Sequence, residues 1–326
     1  MERHMETGRG PSGRRFGRAV ATLSLLTSVV ACTSAQAPAP LSGAGSGDEV
    51  SVATWNMCGV RQWSCEETGS PKDKFQQLRD LVGDSGVRVL LLQEVCSEDL
   101  LSSAVRLGPE WHSVFEPYAE VDAAGRRNSV ECTGQGRGQA GYGLLAASRL
   151  TDVELVPTEQ PTVGLHRGIL CARVPAQGLR VCNAHLSLRE SDGEHPDWDF
   201  RDDQLSSLVA TAATDARTVF GGDFNAPPPV GSRNTSAWIW PSEAYDTYRE
   251  CDQKGDSRKG RATHKDGTKI DYLFTQLPRT GCEVVDTKAS DHRPLVMRVS
   301  RPAADPSSTP SGPSAPSADP GVSSAS

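Results

Sequence analysis

Apolar and polar positions divide the central part of this chain into a series of predicted strands. Residues 49–57 alternate and are rich in Val, Thr and Trp, which is typical of a strand. Residues 87–93 form a short continuous apolar run, as expected of a buried strand. The same criteria predict further strands at 111–116, 142–148, 152–157, 168–174, 179–185, 218–222, 270–275, 283–286 and 294–299.

Helical spacing of apolar residues occurs in fewer places. Residues 71–84 show it most clearly, and Ser70 and Pro71 are start signals for a helix there. A second helix is predicted at about 199–215, and residues 235–249 are predicted to be helical. Because long stretches are strand, hairpin and strand again, the order favours two packed sheets with helices outside over a simple alternating parallel sheet.

The N-terminal residues have the character of an export signal. Residues 1–18 contain five arginines and residues 19–31 carry no charge, a stretch too short to cross a bilayer. Residues 35–37 (Ala-Gln-Ala) fit a small-x-small cleavage site, whereas residues 29–32 resemble a bacterial lipobox that would leave a lipidated Cys32. We therefore predict a signal peptide at 1–37 and a protein that is secreted or lipid-anchored to the outer face of the cell membrane.

Two low-complexity stretches flank the central region. Residues 38–49 and 301–326 are rich in Ser, Pro, Ala and Gly, so they bury too little apolar surface to offset their ordering entropy. We predict a flexible linker and a disordered tail. Residues 50–300 are long enough for one large α/β domain, which we expect to be monomeric.

Eight cysteines follow the signal region, and an even number in an exported chain predicts disulfides. Cys171 and Cys182 flank a predicted hairpin turn, which would place them directly opposite one another. Cys58–Cys65 would close a short loop, and elimination leaves Cys96–Cys132 and Cys251–Cys282 as weaker pairings. The sequence has no Cys-x-x-Cys pair, which argues against zinc thiolates.

The net charge argues against binding nucleic acid through bulk electrostatics. It is −7 for the whole chain and becomes −10 when residues 1–31, with five arginines and two glutamates, are removed. A nuclease would then depend on a bound cation and a local basic patch. Two groups are candidate patches or merely solvated loops: Arg126, Arg127 and Arg137, and Lys254, Arg258, Lys259 and Arg261.

Six short segments place carboxylates, amides or imidazoles where a predicted strand ends. Carboxylate and amide oxygens suit Mg²⁺ or Mn²⁺, and Asp, Asn and His together provide what phosphate hydrolysis needs. Each segment is weak evidence alone, but their joint occurrence is far less expected by chance. The segments are TWNM (54–57), LLQEV (91–95), NAHLSL (183–188), GGDFNA (221–226), KIDYLF (269–274) and SDHRPL (290–295).

In this order the segments resemble the endonuclease/exonuclease/phosphatase superfamily, which has the DNase I-like fold, over roughly residues 50–300. The resemblance implies an α/β (α+β) fold: a four-layer α/β/β/α sandwich of two packed, mainly antiparallel sheets with outer helices. It also implies hydrolysis of phosphate esters with Mg²⁺, with Mn²⁺ or Ca²⁺ as alternatives.

The resemblance further implies a role for each polar group. Glu94 would be the principal Mg²⁺ ligand with Asn56 beside it, and Asp291 would complete the metal or phosphate site. Asp223 and Asn225 would position or activate the attacking water and hold the phosphate.

The remaining roles concern proton transfer and phosphate binding. His292 would be a general base or acid, with Asp271 orienting its imidazole. His185 would bond a phosphate oxygen and help to stabilise the transition state, and Arg167 would contact the phosphate. No motif identifies the carboxylate that should orient His185; two are available, Glu116 and Glu120.

Three functions are therefore weighed. The first is an exported, metal-dependent endonuclease acting on nucleic acid. The second is a phosphoesterase for phospholipids, as in sphingomyelinases, or for inositol phosphates; residues 238–241 (Trp-Ile-Trp-Pro) could touch a membrane or simply pack against the sheet. The third, a non-catalytic binding module, is disfavoured because all the expected polar positions are filled.

Overall fold

The computed structural model describes residues 49–63, 65, 68–231 and 234–301. All of them belong to the larger of two compact units, Pro40–Ser326. The predicted signal peptide, the lipidation site at Cys32, most of the linker and the C-terminal tail lie outside the described residues, so they remain predictions.

The strands account for most of the regular structure. They are β1 (Glu49–Asn56), β2 (Val87–Cys96), β3 (His112–Pro117), β4 (Ala119–Val121), β5 (Arg127–Ser129), β6 (Ala140–Ala146), β7 (Thr151–Val156), β8 (Gly164–His166), β9 (Gly168–Val174), β10 (Leu179–His185), β11 (Thr218–Asp223), β12 (Arg249–Glu250), β13 (Asp271–Thr275), β14 (Arg279–Val284) and β15 (Leu295–Ser300).

These strands form two large sheets and a small one. The first sheet has the order β14-β15-β1-β2-β6-β3 and the second β12-β13-β11-β10-β9-β7. The β1/β2 and β10/β11 pairs are parallel, and the other pairs are antiparallel. The expected mainly antiparallel sandwich is therefore confirmed. The sequence did not predict the small sheet, β5-β4-β8.

The helices are α1 (Pro71–Gly83), α2 (Ser97–Leu107), α3 (Arg201–Ala212) and the short α4 (Glu243–Asp246). Ser70 caps α1 through a reciprocal capping box with Asp73, which explains why that helix was predictable. Helix α2 was not predicted from the sequence. Among the described residues, no helix is both long and apolar enough to cross a membrane.

Period-two alternation along β1 shows why four layers form. Val50 and Val52 lie in a core between the two large sheets. Ala53 and Trp55 point the other way, into a core shared with α1 and α2. A third core, rich in aromatic side chains, lies between the second sheet and α3. The continuous apolar run of β2 follows from the same arrangement, since both of its faces are buried.

The prediction of a helix over 235–249 is wrong. The segment contains a 3-10 turn (Ala237–Ile239), the single turn of α4 and the start of β12. Pro241 lies between the two turns, and a proline without an N–H does not continue a preceding helix. Trp240 is buried and belongs to the core beside the second sheet, whereas Trp238 is 60% exposed.

The four predicted cysteine pairs are at bonding distance. Cys171 and Cys182 face each other in the β9/β10 register, as the hairpin argument required. The other three pairs are Cys58–Cys65, Cys96–Cys132 and Cys251–Cys282.

Lys74 on α1 fixes three backbone segments around the ends of the first sheet. The side chain is buried, and burial lowers the pKa of Lys74 to about 8, so the ammonium form predominates at neutral pH. Its Nζ donates hydrogen bonds to three carbonyls, those of Met57 (2.6 Å), Thr68 (2.9 Å) and Ala289 (2.6 Å). A buried charge with several acceptors is a strong local anchor.

Replacing Lys74 by Met should lower the free energy of unfolding by about 2 to 4 kcal/mol, because the substitution leaves buried carbonyls without donors. Urea unfolding followed by circular dichroism measures the change. Lys72→Met is the matched control, since Lys72 lies on the same helix with an exposed side chain, and it should stay within about 0.5 kcal/mol of wild type. Equal effects of the two substitutions would contradict the anchoring role.

Candidate active site

Three predicted site residues lie in one row across the second sheet. The register pairs His185 at the end of β10 with Asp223 at the end of β11, and Asp223 with Asp271 at the start of β13. All three side chains are buried. Strand pairing alone therefore brings one imidazole and two carboxylates, from distant parts of the chain, to the same end of the second sheet.

Two glycines allow this row to form. A Cβ at Gly221 would lie 1.9 Å from the Tyr272 carbonyl oxygen, and one at Gly222 would lie 1.8 Å from that of Ala184. Gly222 also has φ of +139°, which side chains disfavour. The Gly-Gly pair is therefore required for the close approach of β11 to its neighbours.

The first sheet contributes Asn56 at the end of β1 and Glu94 in β2. The pairing of β2 with β6 is shifted between Leu92 and Val95, and Glu94 has φ of +48°. Such a bulge turns a side chain away from its regular direction, at a cost in backbone strain. At this bulge the Glu94 carboxylate faces the side chain of Asn56.

Asn56 connects the two sheets. Its Nδ2 donates to Glu94 Oε1 (3.1 Å) and to Asp223 Oδ2 (3.0 Å), and its Oδ1 accepts from the Cys58 amide (2.9 Å). Ser290 Oγ donates to the Asn56 carbonyl (2.8 Å), which brings the Ser-Asp-His segment to the same place. Asn56 thus joins four segments of the chain, three through its side-chain amide and the fourth through its backbone carbonyl.

Asp223 lies between two imidazoles. Its Oδ2 is 3.5 Å from Nε2 of His185 and 3.9 Å from Nε2 of His292. His292 is held from its other side by Asp271, with 2.9 Å from Nδ1 to Oδ2. The contact between Asp271 and His292 is the one predicted from the sequence, and the structure brings the two groups together.

Burial sets the protonation of the central groups. It raises the pKa of Glu94 and that of Asp223, against the opposing effects of the Asn56 hydrogen bonds and the charge of His292. Burial also lowers the pKa of His185 well below its usual value, so this imidazole is neutral. Burial opposes protonation of His292 as well, but Asp271 and Asp223 outweigh it and raise the pKa of His292 to about 10.

Arg167 and Asn225 lie at the edge of this group. The charge of Arg167 lowers the pKa of both Glu94 and His185, and its buried Nε has no hydrogen-bond partner. Asn225 has φ of +49°, and its Nδ2 donates to the Leu186 carbonyl (2.9 Å). The phosphate-binding roles predicted for both residues stay predictions.

Asp291 faces a histidine that the sequence analysis missed. His264 Nε2 is 3.6 Å from Asp291 Oδ2, and the ring centroids of His264 and His292 are 4.8 Å apart. Burial would raise the pKa of Asp291, but His264 and His292 lower it well below its usual range. His264 carries no motif, and the isolated bridge that pairs it with His292 is invisible in the sequence.

Two expectations are corrected. Neither Glu116 nor Glu120 orients His185: the hydroxyl of Tyr118, between them in the chain, lies 2.5 Å from His185 Nδ1. The proposed basic patches are also largely taken up by ion pairs. These pairs are Arg126–Asp122, Arg137–Asp99, Arg258–Asp246 and Arg261–Asp252.

The donor set fits a hard divalent cation. Glu94 and Asp223 are buried carboxylates with raised pKa, which share one amide donor and lack a full complement of positive charge. Asp223, Asp271 and His292 also come close enough to share an ion. A third cluster, Cys58, Cys65 and Glu94, is no thiolate site because its cysteines form a disulfide.

In the metal-free protein, Asp271→Asn should lower the pKa of His292 by about 1 to 3 pH units, because it removes the adjacent negative charge. NMR titration of the imidazole nitrogens measures this. His292 has a folded pKa above its ordinary 6.5, so its protonation stabilises the fold fully below pH 6.5, and this contribution is lost as the pH rises towards 10. Asp266→Asn, which removes a partner of His264 instead, is the control; an unshifted His292 in Asp271→Asn would contradict the assignment.

Three solved structures are similar to this one. An endonuclease/exonuclease/phosphatase from Beutenbergia cavernae DSM 12333 is 19% identical with a TM-score of 0.57, over 79% of this chain and 72% of that chain. The human Nocturnin catalytic domain with bound sulfate is 18% identical with a TM-score of 0.54, over 78% and 93%. A 3′ phosphatase from Neisseria bound to a product DNA hairpin is 16% identical with a TM-score of 0.53, over 76% and 98%.

At these identities the likeness is one of fold. No curated protein sequence matches the chain significantly. The model of the Endonuclease/Exonuclease/phosphatase family matches residues 53–292, which is most of the chain and includes the sheet-end residues described above. The chain therefore belongs to the endonuclease/exonuclease/phosphatase family.

Proposed function

We propose that this protein is a divalent-metal-dependent phosphodiesterase and that its substrate is nucleic acid. The observation that carries the proposal is the position of Asp223, whose Oδ2 lies between the Nε2 atoms of His185 and His292 and accepts from Asn56. A carboxylate between a neutral and a protonated imidazole combines a proton acceptor with two hydrogen-bond donors in one small volume.

Glu94 is the residue that would hold the cation, with Asp291 completing the site. Asn56 was expected to be a ligand beside it, but its Oδ1 accepts from the Cys58 amide and its Nδ2 faces Glu94, so it positions that carboxylate instead. When bound, the cation would neutralise the phosphoryl oxygens and make a ligated water more acidic. Removal of the metal by a chelator should therefore stop turnover. Mg²⁺ is the cation we propose, since carboxylate and amide oxygens suit it, with Mn²⁺ and Ca²⁺ as alternatives.

The other residues divide the proton transfers among them. Asp223 accepts the proton of the attacking water, and Asn225 at the end of the same turn helps to hold the phosphate. His292, kept protonated by Asp271, donates to the leaving oxygen. His185 donates a hydrogen bond to a phosphoryl oxygen, and Arg167 supplies a positive charge.

A singly charged phosphodiester fits this surface better than a polyphosphate does. Most arginines of the candidate basic patches already have carboxylate partners, so neither an inositol polyphosphate nor a nucleic-acid backbone meets an array of free cations. Charge compensation is then left mainly to the cation and Arg167, which is less demanding for one singly charged diester than for the adjacent monoesters of a polyphosphate. The similar Neisseria structure, which holds product DNA, supports nucleic acid as the class of diester.

One observation favours a second candidate, a phospholipid. Trp238 is 60% exposed and Trp198 is 46% exposed. Arg201 joins the loops that carry them, since it bonds Ser236 Oγ (3.2 Å) and Asp199 Oδ2 (2.6 Å) as well as the Asn225 carbonyl. Exposed tryptophans near a site are also found on proteins that touch membrane interfaces.

We also propose that the protein is exported, either secreted or held to the membrane surface by a lipidated Cys32. The four disulfides support this, because such bonds persist in oxidising compartments. We expect it to act there as a monomer.

The test offers plasmid DNA, sphingomyelin vesicles and an inositol polyphosphate to the oxidised protein, each with Mg²⁺ and with a chelator. We expect nicking of DNA with Mg²⁺ only. Asp223→Ala and His292→Ala should each lower kcat by about 100-fold or more, since each removes a proton-transfer group. Asp256→Ala and His112→Ala, at exposed positions outside the site, are matched controls that should keep wild-type rates.

The alternatives have distinct outcomes. Cleavage of sphingomyelin without DNA cleavage would overturn the nuclease proposal in favour of the phospholipid candidate. Full activity in both site variants would show that the residues are wrongly assigned. A protein that binds metal yet turns over none of the three substrates would be a binding module.

A further inference from the structure

The hydroxyl group of Tyr118 lies between the two halves of the site. It accepts a hydrogen bond from the backbone amide of Glu94 (3.1 Å) and lies 2.5 Å from Nδ1 of His185. Tyr118 is 1% exposed, and its ring is held by Tyr142 and Trp63, whose ring centroids are each 5.6 Å away. The phenol therefore has little freedom to turn.

The direction of the short hydrogen bond between Tyr118 and His185 follows from the number of hydrogens that each group has. A phenol has one hydrogen to donate, and its oxygen already accepts from the Glu94 amide. Among the described contacts, the acceptor available to the Tyr118 hydrogen is Nδ1 of His185. The hydroxyl therefore donates to Nδ1, and the single hydrogen of the neutral imidazole sits on Nε2.

In this tautomer the N–H group of the His185 ring faces into the site. Nε2 points towards Asp223, with 3.5 Å to its Oδ2, in the place where a phosphoryl oxygen would be bound. A carboxylate partner would act in the opposite sense, because a carboxylate accepts and so requires the hydrogen on Nδ1. In a neutral ring that would leave Nε2 as an acceptor, facing a carboxylate and an anionic substrate.

We propose that Tyr118 is a positioning residue that locks His185 in the Nε2–H tautomer and at the same time supports the left-handed backbone of Glu94. The inference deepens the proposed function, on which it rests for its kinetic part. It makes His185 a donor to the phosphate rather than a base, so the proton of the attacking water goes to Asp223. The same hydroxyl couples the cation side of the site to the phosphate side.

The positive φ of Glu94 explains why the hydrogen bond from its amide to Tyr118 matters for the cation side of the site. A non-glycine residue at +48° persists only when its surroundings hold it there. The amide of Glu94 is held by the Tyr118 oxygen, and its carbonyl accepts from the amide of Gly59 (2.7 Å). Loss of the hydroxyl would therefore release one side of the bulge that aims the Glu94 carboxylate.

The experiment measures the tautomer directly. In wild type, ¹⁵N NMR of histidine-labelled protein should show His185 with an unprotonated Nδ1 and a protonated Nε2. Tyr118→Phe keeps the ring and removes the hydroxyl, so the two tautomers should mix, and kcat should fall about 10- to 100-fold with little change in KM. Tyr142→Phe is the matched control, since it alters a buried neighbouring ring that makes no contact with His185 among those described.

The outcomes separate this inference from the proposed function. A wild-type His185 protonated on Nδ1 would overturn the inference whether or not Tyr118→Phe folds. So would wild-type kcat in Tyr118→Phe when His292→Ala is inactive. If no phosphate ester is turned over by wild type, the proposed function fails, and the NMR result still decides what Tyr118 does.

Discussion

The arrangement of the site depends on the side-chain amide of Asn56, which donates hydrogen bonds to residues of both large sheets. Asn56 ends β1 in the first sheet, yet its Nδ2 donates both to Glu94 in that sheet and to Asp223 in the second. Two buried carboxylates would otherwise repel each other across this gap. Because the amide has two hydrogens and a fixed planar shape, it also sets the distance between the carboxylates.

Other buried polar contacts keep the sheets at the spacing that Asn56 needs. Gln93 Nε2 donates to Asn183 Oδ1 (2.6 Å), and Asn183 Nδ2 returns to the Leu92 carbonyl (2.9 Å). These groups lie beside the apolar core between the sheets, where an unpaired amide would be costly. Lys74 holds three loop segments, one after β1, one before α1 and one before β15. The site residues are therefore supported by a layer of hydrogen-bonded polar groups beneath them, although Gln93 Oε1 has no hydrogen-bond partner.

The sequence predicted much of this site because strand ends carry its residues. Once β10, β11 and β13 pair in register, His185, Asp223 and Asp271 fall into one row without further information. Residues placed by long-range pairing between loops were not predictable. Tyr118 and His264 belong to no strand-end motif, and each reaches its histidine through contacts between segments far apart in the chain. The predicted helix at 235–249 is interrupted at Pro241, a break that the sequence itself contains.

The direction of the Tyr118 hydrogen bond bears on how the charges are balanced. With His185 neutral and donating, the protonated groups near Asp223 and Glu94 are His292 and Arg167, and burial still raises the pKa of both carboxylates. Had Tyr118 been a carboxylate, a third anion would lie beside these two, and His185 would have to be protonated to compensate it. A phenol orients the imidazole without adding charge. The remaining deficit of positive charge is one that a bound cation would compensate.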